Sequence, residues 1–110
     1  MIETVLLRYL ERETGLPASM EVPESPPEEF ITVEKTGGGE RDHIKTAMFA
    51  IRSYGGSLFR AAEINETVKA AMLSMPERTG IFRAELNGDY NYTDTKTKRY
   101  RYQAVYDITY

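Results

Sequence analysis

His43 is the chain's only histidine, set between Asp42 and Ile44 at the end of a hairpin pattern. A general base or metal ligand needs company, and no second histidine, no HExxH and no spaced carboxylate set accompanies it. It reads as a turn or surface residue. Gly37-Gly38-Gly39 invites comparison with a phosphate cradle, but a P-loop runs its glycines into a helix opening on Lys-Ser or Lys-Thr. These glycines run into another strand, so they are expected to form a hairpin tip, mobile until something binds it. Glu21, Glu24, Glu28 and Glu29 lie in a proline-rich stretch with little burial to push carboxyl pKa values apart, so they read as a solvated loop. The serines and threonines lack a histidine or lysine at a nucleophile's spacing, and cysteine is absent. No enzyme, cofactor or metal site is expected.

One cluster carries binding chemistry. Lys96, Lys98, Arg99 and Arg101 interleave with Tyr100 and Tyr102, and cations neutralise phosphates while aromatic faces stack on bases. On a strand, however, the tyrosines and the two arginines fall on opposite parities and cannot face one nucleic-acid strand together except at the exposed hairpin end. With a pI of about 5.2, nucleic acid is the minor expectation.

The elements that must position these residues begin with Ile2, Val5, Leu6, Tyr9 and Leu10, at helical spacing from about residue 2 to 14, stopped by Gly15 and Pro17. Met20 to Glu29, with Pro23, Pro26 and Pro27, predicts an extended loop with a short edge strand around Met20 to Val22. Phe30, Ile31 and Val33 open a strand toward the Gly37–Gly39 turn, and His43 to Ser53 returns as the middle of the sheet, apolar on both parities. Ser57 caps a second helix whose stripe of Leu58, Ala61, Ala62, Ile64, Val68, Ala71, Met72 and Met75 is expected to stop at Pro76.

From Ile81 alternation resumes, with Phe82, Ala84, Leu86, Gly88, Tyr90 and Tyr92 on one parity. Asn87-Gly88 is a hairpin signal, yet the phase runs through it, so Gly88 is expected to be a bulge or close approach within one strand. After a polar turn near Asp94 to Thr97, Tyr100, Tyr102, Ala104, Tyr106, Ile108 and Tyr110 share the inward parity of the last strand. That strand reaches the final residue, as expected of a single domain, 1–110, complete as written. The fold class expected is α+β, a mostly antiparallel sheet of four to five strands with two main helices on one face.

A net charge of -3 hides a division: residues 1–42 carry ten acidic against four basic side chains, residues 43–110 seven against ten. Copies of one chain could meet acidic side to basic side. Absent cysteine agrees with an intracellular folding compartment, and neither a membrane span nor a secretory signal fits the apolar pattern.

Three segments carry a resemblance: His43-Ile-Lys-Thr-Ala-Met-Phe-Ala-Ile-Arg-Ser-Tyr54 with the alanine-rich helix after it, Leu86-Asn-Gly-Asp-Tyr-Asn-Tyr-Thr-Asp94, and Tyr100-Arg-Tyr-Gln-Ala-Val-Tyr-Asp-Ile108. With Glu-Val-Pro-Glu at 21–24, the chain resembles tail terminator, or tail completion, proteins from the necks of long-tailed bacteriophages and prophages of Gram-positive hosts. The resemblance implies a virion neck subunit, present in the host cytoplasm before assembly. It implies a hexameric ring on the tail tube that ends polymerisation, with itself, the major tail tube protein and a head-completion protein as partners. A neighbouring head-tail connector protein of the same neck is the alternative. The family supplies no catalytic residue. The candidate protein-interface residues are Glu21, Glu24, Glu28 and Glu29 in the acidic loop and Lys96, Lys98, Arg99 and Arg101 in the last hairpin.

Overall fold

Ile2, Leu6, Tyr9 and Leu10 recur at helical spacing and form the buried stripe of α1 (Ile2–Thr14). The computed structural model, which describes residues 1–110, ends this helix at Gly15, whose φ of 73° lets its N–H donate to the Glu11 carbonyl. There follow β1 (Ala18–Ser19), β2 (Phe30–Arg41), β3 (Ile44–Tyr54), α2 (Leu58–Thr79), β4 (Arg83–Asn91) and β5 (Arg101–Thr109). They form one five-stranded sheet in the order β1-β2-β3-β5-β4, antiparallel except for β1 beside β2.

One parity of each long strand meets the helices. Ile31 and Val33, Phe49 and Ile51, and Ala104, Tyr106 and Ile108 share a single apolar core with Leu6, Tyr9 and Leu10 of α1 and Ile64, Val68, Met72 and Met75 of α2. The Tyr9 hydroxyl donates to the Ala71 carbonyl at 2.5 Å, tying the two helices together inside that core. The α+β class, the two helices on one face, and β3 in the middle of the sheet all agree with the pattern of the chain. Ser57 accepts from the Arg60 N–H as the N-cap of α2.

Several local expectations are corrected. Gly37–Gly39 do not turn; they lie inside β2, opposite Met48, Ala47 and Thr46, and the reversal falls at Asp42 and His43, with φ of 52° and 66°. Positive φ at both central residues is what a two-residue hairpin turn with the sheet's own twist demands, and asparagine- or aspartate-led pairs tolerate it. The edge strand sits at Ala18–Ser19 rather than Met20–Val22, because the Pro17 carbonyl is placed to accept from the Ile31 N–H at 2.8 Å. Pro76 does not stop α2; only its missing N–H is lost from the ladder, and the helix runs on to Gly80, which at φ 78° donates back to the Pro76 carbonyl.

The chain runs straight through Asn87-Gly88 in β4, with a register shift between Leu86 and Gly88, so the bulge is where the sequence put it. Tyr90 and Tyr92 nevertheless do not keep the phase of Ala84 and Leu86. An extra residue inverts the parity beyond it, so Asp89 and Asn91 now face α2's side of the sheet, and Tyr90 and Tyr92 face away from the helices. Of the inward parity expected in the last strand, Tyr106 is buried, Tyr100 and Tyr102 are half-buried, and Tyr110 is 37% exposed.

Candidate interaction surfaces

The acidic loop does not present four equivalent carboxylates. Glu29 is bound by the Arg60 guanidinium, whose Nε and Nη2 donate at 2.5 and 3.0 Å, and this hydrogen-bonded cation holds the carboxyl below its ordinary range. Glu28 lies so close to Gly56 that a side chain on Gly56 would collide with its carboxylate. Glu21, Glu24 and Glu28 are all exposed, and Glu29 alone is half-buried. The loop is thus laced to the start of α2 at one end and free at the other.

In the β4–β5 connection, Lys96, Lys98 and Arg99 are exposed as expected, and Asp94 organises the turn by accepting from the Lys96 and Thr97 N–H groups. Those backbone donors hold the Asp94 carboxyl below its ordinary range, so it stays anionic beside the cations. Arg101 departs from the other three. Its guanidinium lies 4.6 Å from the centre of the Tyr92 ring, its Nε donates to the Tyr92 carbonyl at 2.7 Å, and its Nη1 reaches the Tyr54 hydroxyl.

Arg101 belongs to a network on the helix-free face that the sequence did not reveal. Arg52 donates from Nε to Gln103 at 2.7 Å and from Nη1 to Glu34 at 2.9 Å, and its guanidinium lies 5.3 Å from the Tyr92 ring centre. Gln103 in turn donates to the Tyr90 hydroxyl at 2.5 Å, and Phe30 stacks on Tyr54 with ring centres 4.3 Å apart. Cations and tyrosines do share a face, but the tyrosines come from β4 and β3 and not from the alternation of Tyr100 and Tyr102 with Arg99 and Arg101. The signal in the sequence is Asn87-Gly88: a bulge there, unlike a simple close approach of the backbone, inverts the parity of every residue after it.

On the other face, a groove of about 400 Å³ runs between α2 and β4, lined by Ala70, Leu73, Ala84, Leu86 and Tyr106 with Lys69 at its rim. Leu73 is 85% exposed there, an apolar side chain that the helical stripe left out. Asp89 crosses from β4 to α2, accepting from the Asn65 amide at 2.6 Å and from Lys69 Nζ at 2.5 Å, which raises the Lys69 pKa. Burial pushes the Tyr106 hydroxyl below this groove up to about 12.

Neither a protein-family model nor a curated protein matches this chain.

Proposed function

We propose that this chain is a structural subunit of a bacteriophage neck, of the tail-terminator kind, which closes into a ring on the tail tube, ends its polymerisation and offers a joining surface to head-completion proteins. The supporting observation is how the charge division lies on the fold. Residues 1–42, with ten acidic and four basic side chains, build α1, β1 and β2 at one side of the sheet; residues 43–110, with ten basic and seven acidic, build the remaining sheet and α2. A ring of identical copies needs one surface to meet a different surface on its neighbour, and the two parts of this fold differ in net charge. The resemblance of the three sequence segments supplies the phage context. Native mass spectrometry and negative-stain microscopy test it: the expected species has six times the 12.6 kDa mass of one chain, alone or on added tail tubes. A chain that stays monomeric at every concentration and leaves tubes uncapped overturns the reading.

A second reading, a single-stranded nucleic-acid binder, is favoured by one specific observation. Arg52 and Arg101 stand over Tyr92 on the helix-free face, with Lys96, Lys98 and Arg99 at its end. Filter binding of an oligonucleotide at low salt decides it; no retention removes this reading.

A further inference from the structure

Both long outer strands of the sheet leave one side unpaired. β1 covers β2 only at Ile31 and Thr32, so Val33–Arg41 keeps a free outer side, and β4 has no neighbour beyond it. Rows of bare N–H and C=O groups this long invite another strand. Following the pairings across the sheet, three levels run from edge to edge: Gly38, Ala47, Ile108, Ala84; Lys35, Phe49, Tyr106, Leu86; and Val33, Ile51, Ala104, Asp89.

The free groups of the two edges lie on these levels. The Ile31 N–H points outward, since it donates to Pro17, and alternation carries that direction to Val33 and Lys35. On β4 the Tyr92 N–H points inward to the Arg101 carbonyl, so that of Asp89 points outward. The register shifts at Thr36 and Asn87 each move the phase by one residue, leaving Gly38 outward on β2 and Leu86 and Ala84 outward on β4. The outward residues therefore match in height: Gly38 with Ala84, Lys35 with Leu86, Val33 with Asp89.

Strand direction matches as well. Three antiparallel pairings separate β2 from β4, so they run in opposite directions. A second copy set beside the first in the same orientation offers its β2 antiparallel to β4 and keeps its helices on the same face. That is a head-to-tail contact, which propagates or closes, whereas a two-fold pairing of β4 with β4 stops at a dimer. The Arg83–Glu85 ion pair, 3.0 Å long, would then stand opposite Gly39 and Gly37. Neither glycine has positive φ, and an added Cβ would meet nothing closer than 4.0 Å, so nothing inside the monomer requires glycine at either position.

We infer that β4 of one copy pairs with the free length of β2 in the next, in the register Ala84 to Gly38, Leu86 to Lys35 and Asp89 to Val33, making one continuous sheet of the assembly. This rests on the self-assembling reading above. Lys35→Pro and Leu86→Pro each remove an outward N–H from one edge and leave the other edge intact. Each variant alone is expected to stay monomeric, and an equimolar mixture to give a pair and nothing larger, with circular dichroism confirming the folds. Hydrogen exchange on the wild type needs no variant: the outward amides of Val33, Lys35, Gly38, Ala84, Leu86 and Asp89 are expected to slow about tenfold or more on assembly. Rings that form in either variant alone, or wild-type rings whose edge amides exchange as in the monomer, overturn the edge pairing and leave the ring reading standing. A wild-type chain that never assembles overturns both.

Discussion

The two faces of the sheet are built from the same strands yet solve different problems. On the covered face, Phe49, Ile51, Tyr106 and Ile108 meet two helices in a dry apolar core, where burial of apolar surface dominates the energetics. On the helix-free face, arginines and tyrosines hold one another through directed hydrogen bonds and ring contacts around Tyr92, with Tyr90 and Tyr92 still 44% and 39% exposed. The difference teaches that apolar burial and a directed polar and aromatic network occupy separate sides here, and that a single bulge at Asn87 allots two tyrosines to the second.

The largest effect should come from the covered face. Phe49→Ala leaves a cavity in the core beneath α2 and is expected to lower stability by about 3–5 kcal/mol in urea denaturation; a loss below about 1 kcal/mol would erase the contrast between the faces. Alkali probes the same core. Tyr106 holds its proton in the fold up to about 12, against 10.0 for a free tyrosine, so its stabilisation is complete below the lower value and is lost as pH climbs through the higher. Ultraviolet titration should show it among the last tyrosines to ionise, and Tyr106→Phe should flatten the alkaline limb of the melting curve.

At the seam between β4 and α2, Asp89→Ala strips the amide partner from buried Asn65 and the anion from Lys69. The expected loss is about 1–3 kcal/mol, read from the urea midpoint. On the helix-free face, Tyr92→Ala removes two guanidinium–ring contacts at a partly exposed site, expected to lower stability by about 1 kcal/mol. A loss as large as that of Phe49→Ala would make the helix-free face a second core.

The smallest effect belongs to the acidic loop. Arg60 holds Glu29 below the ordinary carboxylate range, so the pair's contribution is present above that range and fades as pH falls through the depressed value. Glu29→Gln should flatten the acid limb of the melting curve slightly, and added salt should blunt the difference.

Local chemistry made much of this legible. Ile2, Leu6, Tyr9 and Leu10 announced α1, because periodicity records which face each residue must bury; the apolar run of β3 announced a central strand, but burial on both its faces fails at Ile44 and Met48, which stay exposed on the side no helix covers. The glycine triplet misled, since glycine permits a turn without demanding one, and Asp42-His43 supplied the positive φ instead. Of the candidate interface residues, Lys96, Lys98, Arg99, Glu21, Glu24 and Glu28 stand exposed. Glu29 and Arg101 are engaged by partners, Arg60 for the first and Tyr54 and Tyr92 for the second, that no local pattern pairs with them.

By itself the sequence determined the helices, the two hairpins, the α+β class and the presence of a bulge at Asn87-Gly88, because each follows from the alternation or capping of neighbouring residues. Only the tertiary structure decided which face Tyr90 and Tyr92 occupy, that β1 runs parallel to β2, and that the free groups of β2 and β4 stand level across the sheet. Those outcomes depend on where distant strands align, and hydrogen bonds between strands are set by the register of the whole sheet, which no local stretch of the chain contains.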